Sequence, residues 1–191
     1  IGSVFQDPLT SLNPVYTIGR HLVETIRTHL PVNEAEARRR AVQLLADVEI
    51  ADPEARLNQY PHQFSGGMRQ RVAIALALCA EPRLLIADEP TTALDVSVQA
   101  QVIRVFRRVC RERGTAAMLI THDMGVIAEA ADRVMVTRSP LKWNGQLSIA
   151  VRRVSSNCWA PSRGVLGINK TNSSPPKRKI MSMLRSWALR V

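Results

Sequence analysis

Apolar positions change their spacing several times along the chain, and each change marks an element. Ile1 to Phe5 is a short, mainly apolar strand leading into Gln6, and Asp7-Pro8 with Asn13-Pro14 then marks a turn-rich link. Ile18, Leu22, Val23, Ile26 and Leu30 recur at helical spacing, and Glu34 to Val48 places Ala41, Leu44, Leu45 and Val48 on one face. Two amphipathic helices are predicted there. Ser65 stands at an N-cap position before Gly66-Gly67, and Met68 to Ala80 continues as a helix stopped by Glu81-Pro82. Leu84 to Ala87, bounded by Pro82 and Pro90, is too short for a helix and reads as a buried strand of a parallel sheet. Val96 to Arg113 predicts a further helix ending at Gly114, Ala116 to Ile120 a strand, Met124 to Ala131 a short helix and Arg133 to Val136 another strand. This alternation predicts an α/β sheet covered by helices. Beyond Val136 the periodicity fades, and no stable element is predicted.

Charge changes the picture of that last segment. The net charge is +10, yet residues 1 to 137 carry 15 Lys/Arg against 16 Asp/Glu, whereas residues 138 to 191 carry 11 Lys/Arg and no acid. The tail therefore supplies all of the basicity. At the acid frequency of the first part, an acid-free stretch of that length arises roughly once in a thousand times. The expectation is that residues from about 137 onward are translated out of frame. The alternative is a genuine basic tail that docks on anionic lipid or nucleic acid through Lys177-Arg178-Lys179. The longest apolar run, Val72 to Ala80, is nine residues, far short of the roughly 20 of a bilayer span. Cys79, Cys110 and Cys158 match neither a metal site nor a dense disulfide framework, which fits a reducing, cytosolic setting.

Candidate chemistry gathers where strands end. Leu84-Leu85-Ile86-Ala87-Asp88-Glu89-Pro90 delivers two adjacent carboxylates to the C-terminal edge of the sheet, the edge where α/β sheets bind ligands. Asp88 suits a Mg²⁺ ion held through its water shell, and Glu89 suits the orienting or deprotonation of an attacking water. A solvated acidic turn is the competing reading. Phe64-Ser65-Gly66-Gly67-Met68 opens a helix with backbone N–H groups and a hydroxyl pointing outward, which is an anion site or simply a capped helix start. His122 comes just after a strand, where an imidazole can sense a phosphate, and Gln6 offers an amide to metal or water. Strand-end Gln and His are more often structural, and Asp95 taken alone is a helix N-cap.

Gln6, Ser65-Gly66-Gly67-Met68-Arg69-Gln70-Arg71, Asp88-Glu89-Pro90, Ala93-Leu94-Asp95 and Thr121-His122-Asp123 resemble, in order, the Q-loop, signature motif, Walker B, D-loop and H-loop of ABC ATPases. The segment Gln6 to Pro14, with Tyr60-Pro61-His62-Gln63, resembles the branch that powers uptake of dipeptides, oligopeptides, nickel or glutathione. Similarity extends over roughly residues 1 to 137. The resemblance implies a partial P-loop NTPase domain of α/β class with a helical subdomain, followed by an irregular basic tail. Residues 1–80 would hold the Q-loop, helical subdomain and signature, residues 81–137 the C-terminal part of the RecA-like core, and residues 138–191 the tail. It also implies roles: Glu89 the general base, His122 the switch at the γ-phosphate, Gln6 the lid residue touching metal and water, and Asp88 the Mg²⁺ ligand. Ser65, Gly66, Gly67 and Met68 would hold ATP bound to the opposite subunit, and Asp95 would couple the two shared sites.

One departure matters. No GxxxxGK[ST] stretch, whose backbone and lysine grip the phosphates, occurs in the 191 residues. In the family that loop precedes the Q-loop, so the expectation is a chain that begins inside the ATPase domain. The function implied is ATP hydrolysis powering import of small peptides or related solutes. The alternative is an inactive fragment that lends its signature loop to a complete ATPase. Implied partners are that second ATPase subunit, two integral-membrane permease subunits and an extracytoplasmic solute-binding protein, with the chain peripheral on the cytoplasmic face of the membrane. Nucleic acid is not expected, because the motif-bearing part has a net charge of −1 and no aromatic interleaving.

Overall fold

A computed structural model of the chain describes residues 1–92, 94–137, 148–152 and 168–169. The chain divides into two compact units, Ile1–Ala117 and Met118–Val191.

In the first unit, β1 (Gly2–Val4) pairs in parallel with β2 (Leu84–Asp88), with Gly2 opposite Leu85 and Val4 opposite Ala87. Between them in sequence run α1 (Ile18–His29), α2 (Glu34–Asp47), the single turn α3 (Pro53–Arg56) and α4 (Gly66–Leu78), and α5 (Val96–Glu112) comes after β2. The predicted stripe of α1 is the one that is buried, at Ile18, Leu22 and Ile26. Its first-turn amides have no helical acceptor and are satisfied from outside. Ile18 and Gly19 donate to the carbonyls of Gln59 and Leu57 at 2.9 and 2.7 Å, and Arg20 donates to the Thr17 hydroxyl at 3.2 Å. α2 is capped by Asn33 and buries Ala37, Ala41, Leu44 and Leu45.

α4 is the centre of this unit. It touches α1, α2, α5 and β1, and it buries Val72, Ala73, Ile74, Ala75 and Leu78, so its apolar residues surround it rather than forming one stripe. Small residues let neighbours approach closely: a Cβ added at Gly2 would lie 2.3 Å from the Ala77 carbonyl oxygen. Arg71 ties α4 to its surroundings, donating to the Glu49 carbonyl at 3.0 Å and to Gln101 Oε1 at 3.1 Å. The helix starts at Gly66, two residues before the predicted Met68, because the Ser65 cap admits both glycines into the first turn. α3 has no counterpart among the predicted elements, since a four-residue turn begun by Pro53 carries no apolar period.

The second unit contains β3 (Ala116–Thr121) from Met118 onward, α6 (Met124–Ala130), β4 (Arg133–Thr137), β5 (Ser148–Arg152) and β6 (Ile168–Asn169). β5 runs antiparallel to both β3 and β4, with Val151 opposite Leu119 and Val134. β3 and β4 therefore run parallel to each other on either side of β5, joined by α6. β6 pairs antiparallel with β4. The expectation of no element after Val136 is corrected by β5 and β6. A five-residue run with three apolar positions is too short to show a period, and its pairing is a tertiary event. The remainder of the tail, including Lys177-Arg178-Lys179 and the segment expected to be out of frame, lies outside the described residues.

Among the described residues no helix is long and apolar enough to cross a membrane. Cys79 and Cys110 are buried, while Cys158 lies outside the described residues. Burial pushes the Cys79 thiol up to about 12 from its usual value of 9.0. The unfolded chain ionises this thiol first, so its contribution to stability is complete below about pH 9 and is lost as pH climbs toward 12. Urea midpoints of the native chain should therefore fall faster than those of Cys79→Ala between about pH 9 and 11. Parallel pH curves would show that this thiol is not buried.

Candidate functional site

Strand register explains the closest pairing at the site. Val4 sits opposite Ala87, and two residues further on the two strands deliver Gln6 and Glu89. The Gln6 Nε2 donates to Glu89 Oε2 at 3.4 Å. Ala87 is buried and Asp88 exposed at the end of β2, so the strand anchors itself with one residue and presents a carboxylate with the next. Glu89 then takes a left-handed backbone, φ 44°, a conformation that costs a side-chain-bearing residue energy and clusters at functional sites.

The next three residues hold that bend. Pro90 and Thr91 are buried, and the Thr92 amide donates back to the Glu89 carbonyl at 3.3 Å, closing a turn. The Thr92 hydroxyl lies 3.0 Å from Glu89 Oε2 and 3.2 Å from the Glu89 carbonyl oxygen. Thr92 was not among the sequence candidates. The signal was present, because a threonine three residues after a turn-initiating residue can bond back to it. Ala93 lies outside the described residues.

The second group of candidates sits where α4 and α5 begin. Ser65 is exposed and caps α4, accepting from the Met68 amide at 3.4 Å. Gly66 and Met68 are half-buried, and Gly67 is buried against α5: a Cβ there would lie 2.4 Å from Val98 Cγ1. A Cβ on Gly66 would lie 3.4 Å from Leu94 Cδ2. The glycine pair is thus demanded by packing at Gly67, and tolerated with little room at Gly66. Asp95 occupies the N-cap position of α5, exposed, but its side chain makes no capping bond there, which leaves it outside the simple capping role. Arg69 Nε and Gln70 Nε2 are buried without a hydrogen-bond partner.

His122 belongs to the second unit, exposed directly after β3. Its neighbours order the backbone around it. The Asp123 amide donates to Thr121 Oγ1 at 3.1 Å, and Asp123 Oδ1 accepts from the amides of Gly125 and Val126 at 2.7 and 3.3 Å, capping α6. Gln6, Asp88 and Glu89 are brought together in the first unit, and Gly66 and Gly67 meet Leu94 and Val98 there.

A metal site must be judged from the donors present. Among the described residues no three His, Cys, Asp or Glu side chains gather into a cage. Mg²⁺ needs no such cage, since it keeps waters and binds through one or two carboxylates plus phosphate oxygens. One exposed carboxylate at a strand end, Asp88, with the Gln6 amide within reach of its neighbour Glu89, fits that chemistry.

Residues 1–92 match the family described as ABC transporter. A probable peptide ABC transporter ATP-binding protein, y4tR of Sinorhizobium fredii, is 57% identical over 136 residues, covering 71% of this chain and 41% of that protein. The oligopeptide transport ATP-binding protein OppD of Bacillus subtilis is 40% identical over 100% of this chain and 58% of its own length. Among solved structures, cbiO1 from Clostridium perfringens, part of the ABC transporter complex cbiONQ, matches 69% of this chain and 51% of its own, with a TM-score of 0.62 and 30% identity. The ATP-binding cassette MJ0796, in a dimeric post-hydrolysis state bound to ADP and Pi, matches 69% of this chain and 56% of its own, with a TM-score of 0.58 and 31% identity. The chain thus spans about 41 to 58% of the length of these two curated relatives. Its fold, the order of its motifs and these similarities agree: residues 1–92 match the ABC transporter family, and the chain shares the fold of ATP-binding cassettes.

Proposed function

We propose that this chain is part of an ATP-hydrolysing subunit that powers import of small peptides or related solutes. The observation that carries this reading is the Gln6–Glu89 pair at the ends of two parallel strands, next to the exposed Asp88. In this reading residues 1–80 are the Q-loop, helical subdomain and signature, residues 81–137 the C-terminal part of the nucleotide-binding core, and residues 138–191 a basic tail. Glu89 is the general base that takes a proton from the attacking water, and its half-buried, hydrogen-bonded carboxylate is oriented for that task. Asp88 and Gln6 would hold Mg²⁺, which would neutralise charge on the phosphates. His122 contacts the γ-phosphate. Ser65, Gly66, Gly67 and Met68 offer the start of α4 to ATP held by the opposite subunit, where free amides and the helix dipole favour an anion. Asp95 couples the two sites, consistent with its uncommitted N-cap position.

The partners in this reading are a complete ABC ATPase subunit, two integral-membrane permease subunits and an extracytoplasmic solute-binding protein, with the chain peripheral on the cytoplasmic face. The relatives named for peptide transport support a peptide cargo. A second reading is a fragment that lends only its signature loop to a complete partner, and the part it would offer is the exposed Ser65 at the start of α4. One experiment separates the two. ATP turnover is measured for the purified chain alone, and for a fusion that places it behind the GxxxxGK[ST]-bearing segment of a peptide-transport relative. The chain alone should be silent and the fusion active. A silent fusion that binds ATP rejects the hydrolytic reading and leaves the signature-loop one.

A further inference from the structure

We infer that Thr92 is a positioning residue for Glu89, a switchable latch on the carboxylate of the proposed general base. This rests on the proposed role of Glu89 as that base. A threonine hydroxyl carries a single proton, yet two acceptors of Glu89 lie within its reach, the side-chain Oε2 at 3.0 Å and the main-chain oxygen at 3.2 Å. It can serve one fully at a time. Donating to Oε2, the hydroxyl holds the carboxylate against the turn, together with the Gln6 amide that reaches the same oxygen from the end of β1 at 3.4 Å. Donating to the main-chain oxygen instead, it lets Oε2 accept from a water. The turn itself survives this exchange, because the Thr92 amide already closes it on the same carbonyl.

The surroundings make the latch specific. Pro90 and Thr91 are buried and fix the turn, and the left-handed Glu89 backbone aims the side chain back across it. Thr92 itself is exposed and starts the segment that runs through Leu94, packed at Gly66, to Asp95 at the head of α5. Displacement of Leu94 and Asp95, as when a second subunit approaches Asp95, therefore shifts the exposed Thr92 hydroxyl relative to Glu89. Thr92 thereby links the position of the Leu94–Asp95 segment to the orientation of the carboxylate.

The test has two arms. In the full chain with ¹³C-labelled glutamate side chains, the Glu89 carboxyl resonance is assigned by its loss in Glu89→Gln. Thr92→Val, which keeps the shape and removes the hydroxyl, should move that resonance and leave the other glutamate resonances in place, while Thr92→Ser should keep it near its native position. An unmoved Glu89 resonance in Thr92→Val, or an equal displacement in Thr92→Ser, overturns the inference. In the active fusion, Thr92→Val should lower kcat roughly tenfold, the effect of losing one hydrogen bond to a charged group, with KM for ATP unchanged and most of the rate restored by Thr92→Ser. A raised KM at unchanged kcat would equally overturn it. A fusion without turnover counts against the hydrolytic reading alone, since the resonance arm then still decides the latch.

Discussion

Glu89→Gln is expected to reduce ATP turnover of the fused, complete ATPase by about 10²- to 10⁴-fold, the range that a positioned general base contributes. The substitution is suited to the site because it preserves shape. Thr92 and Gln6 both donate toward the Glu89 side chain, and the oxygen of a glutamine can accept in the same place. Folding should thus be preserved while proton acceptance is lost. ATP affinity should stay within a few-fold of the parent, because Asp88, exposed and next in line, is untouched. Turnover and nucleotide binding measured on the same preparation separate the outcomes. Loss of binding together with turnover would make Glu89 a structural or binding residue. Full activity would remove it from the chemistry.

Gly67→Ala should destabilise the first unit by about 1–3 kcal/mol, the usual cost of inserting a methyl group into a packed site. The new Cβ would lie 2.4 Å from Val98 Cγ1, and a valine in a helix is nearly confined to one rotamer, so it cannot swing aside. Helix propensity alone predicts the opposite sign, a gain of up to about 1 kcal/mol on replacing glycine by alanine. The clash outweighs it. Adding Val98→Ala should return stability to the parent level or above, because the space opened on α5 is the space the methyl needs. Denaturant midpoints across the four proteins of this cycle measure the coupling directly. If the double variant regains stability but still fails to stimulate a complete partner ATPase, Gly67 serves nucleotide as well as packing. If both return, its glycine is required only by α5.

Much of the architecture was legible because it rests on local rules. The stripe Ile18, Leu22, Ile26, the cap at Ser65, and the run Leu84 to Ala87 between prolines each derive from residues close in sequence. The buried character of α4 was half legible. Its nine-residue apolar run, Val72 to Ala80, is compatible with burial on several sides, but which neighbours surround it depends on long-range packing. β5 was missed for the same reason: nothing in Ser148–Arg152 says that two parallel strands wait to pair with it.

At the site, sequence by itself determined the chemical types: an Asp-Glu pair at a strand end, a Ser-Gly-Gly helix start, and a glutamine and a histidine just past strands. These depend on covalent neighbours and on the period of the strand or helix that presents them. Tertiary structure alone decided which groups meet. The parallel register of β1 on β2 brings Gln6 to Glu89 across 83 positions of chain, and the closeness of α5 turns Gly67 into a packing requirement. Distances of this kind are fixed by backbone pairing and side-chain volume between segments far apart in sequence, and no local pattern contains them.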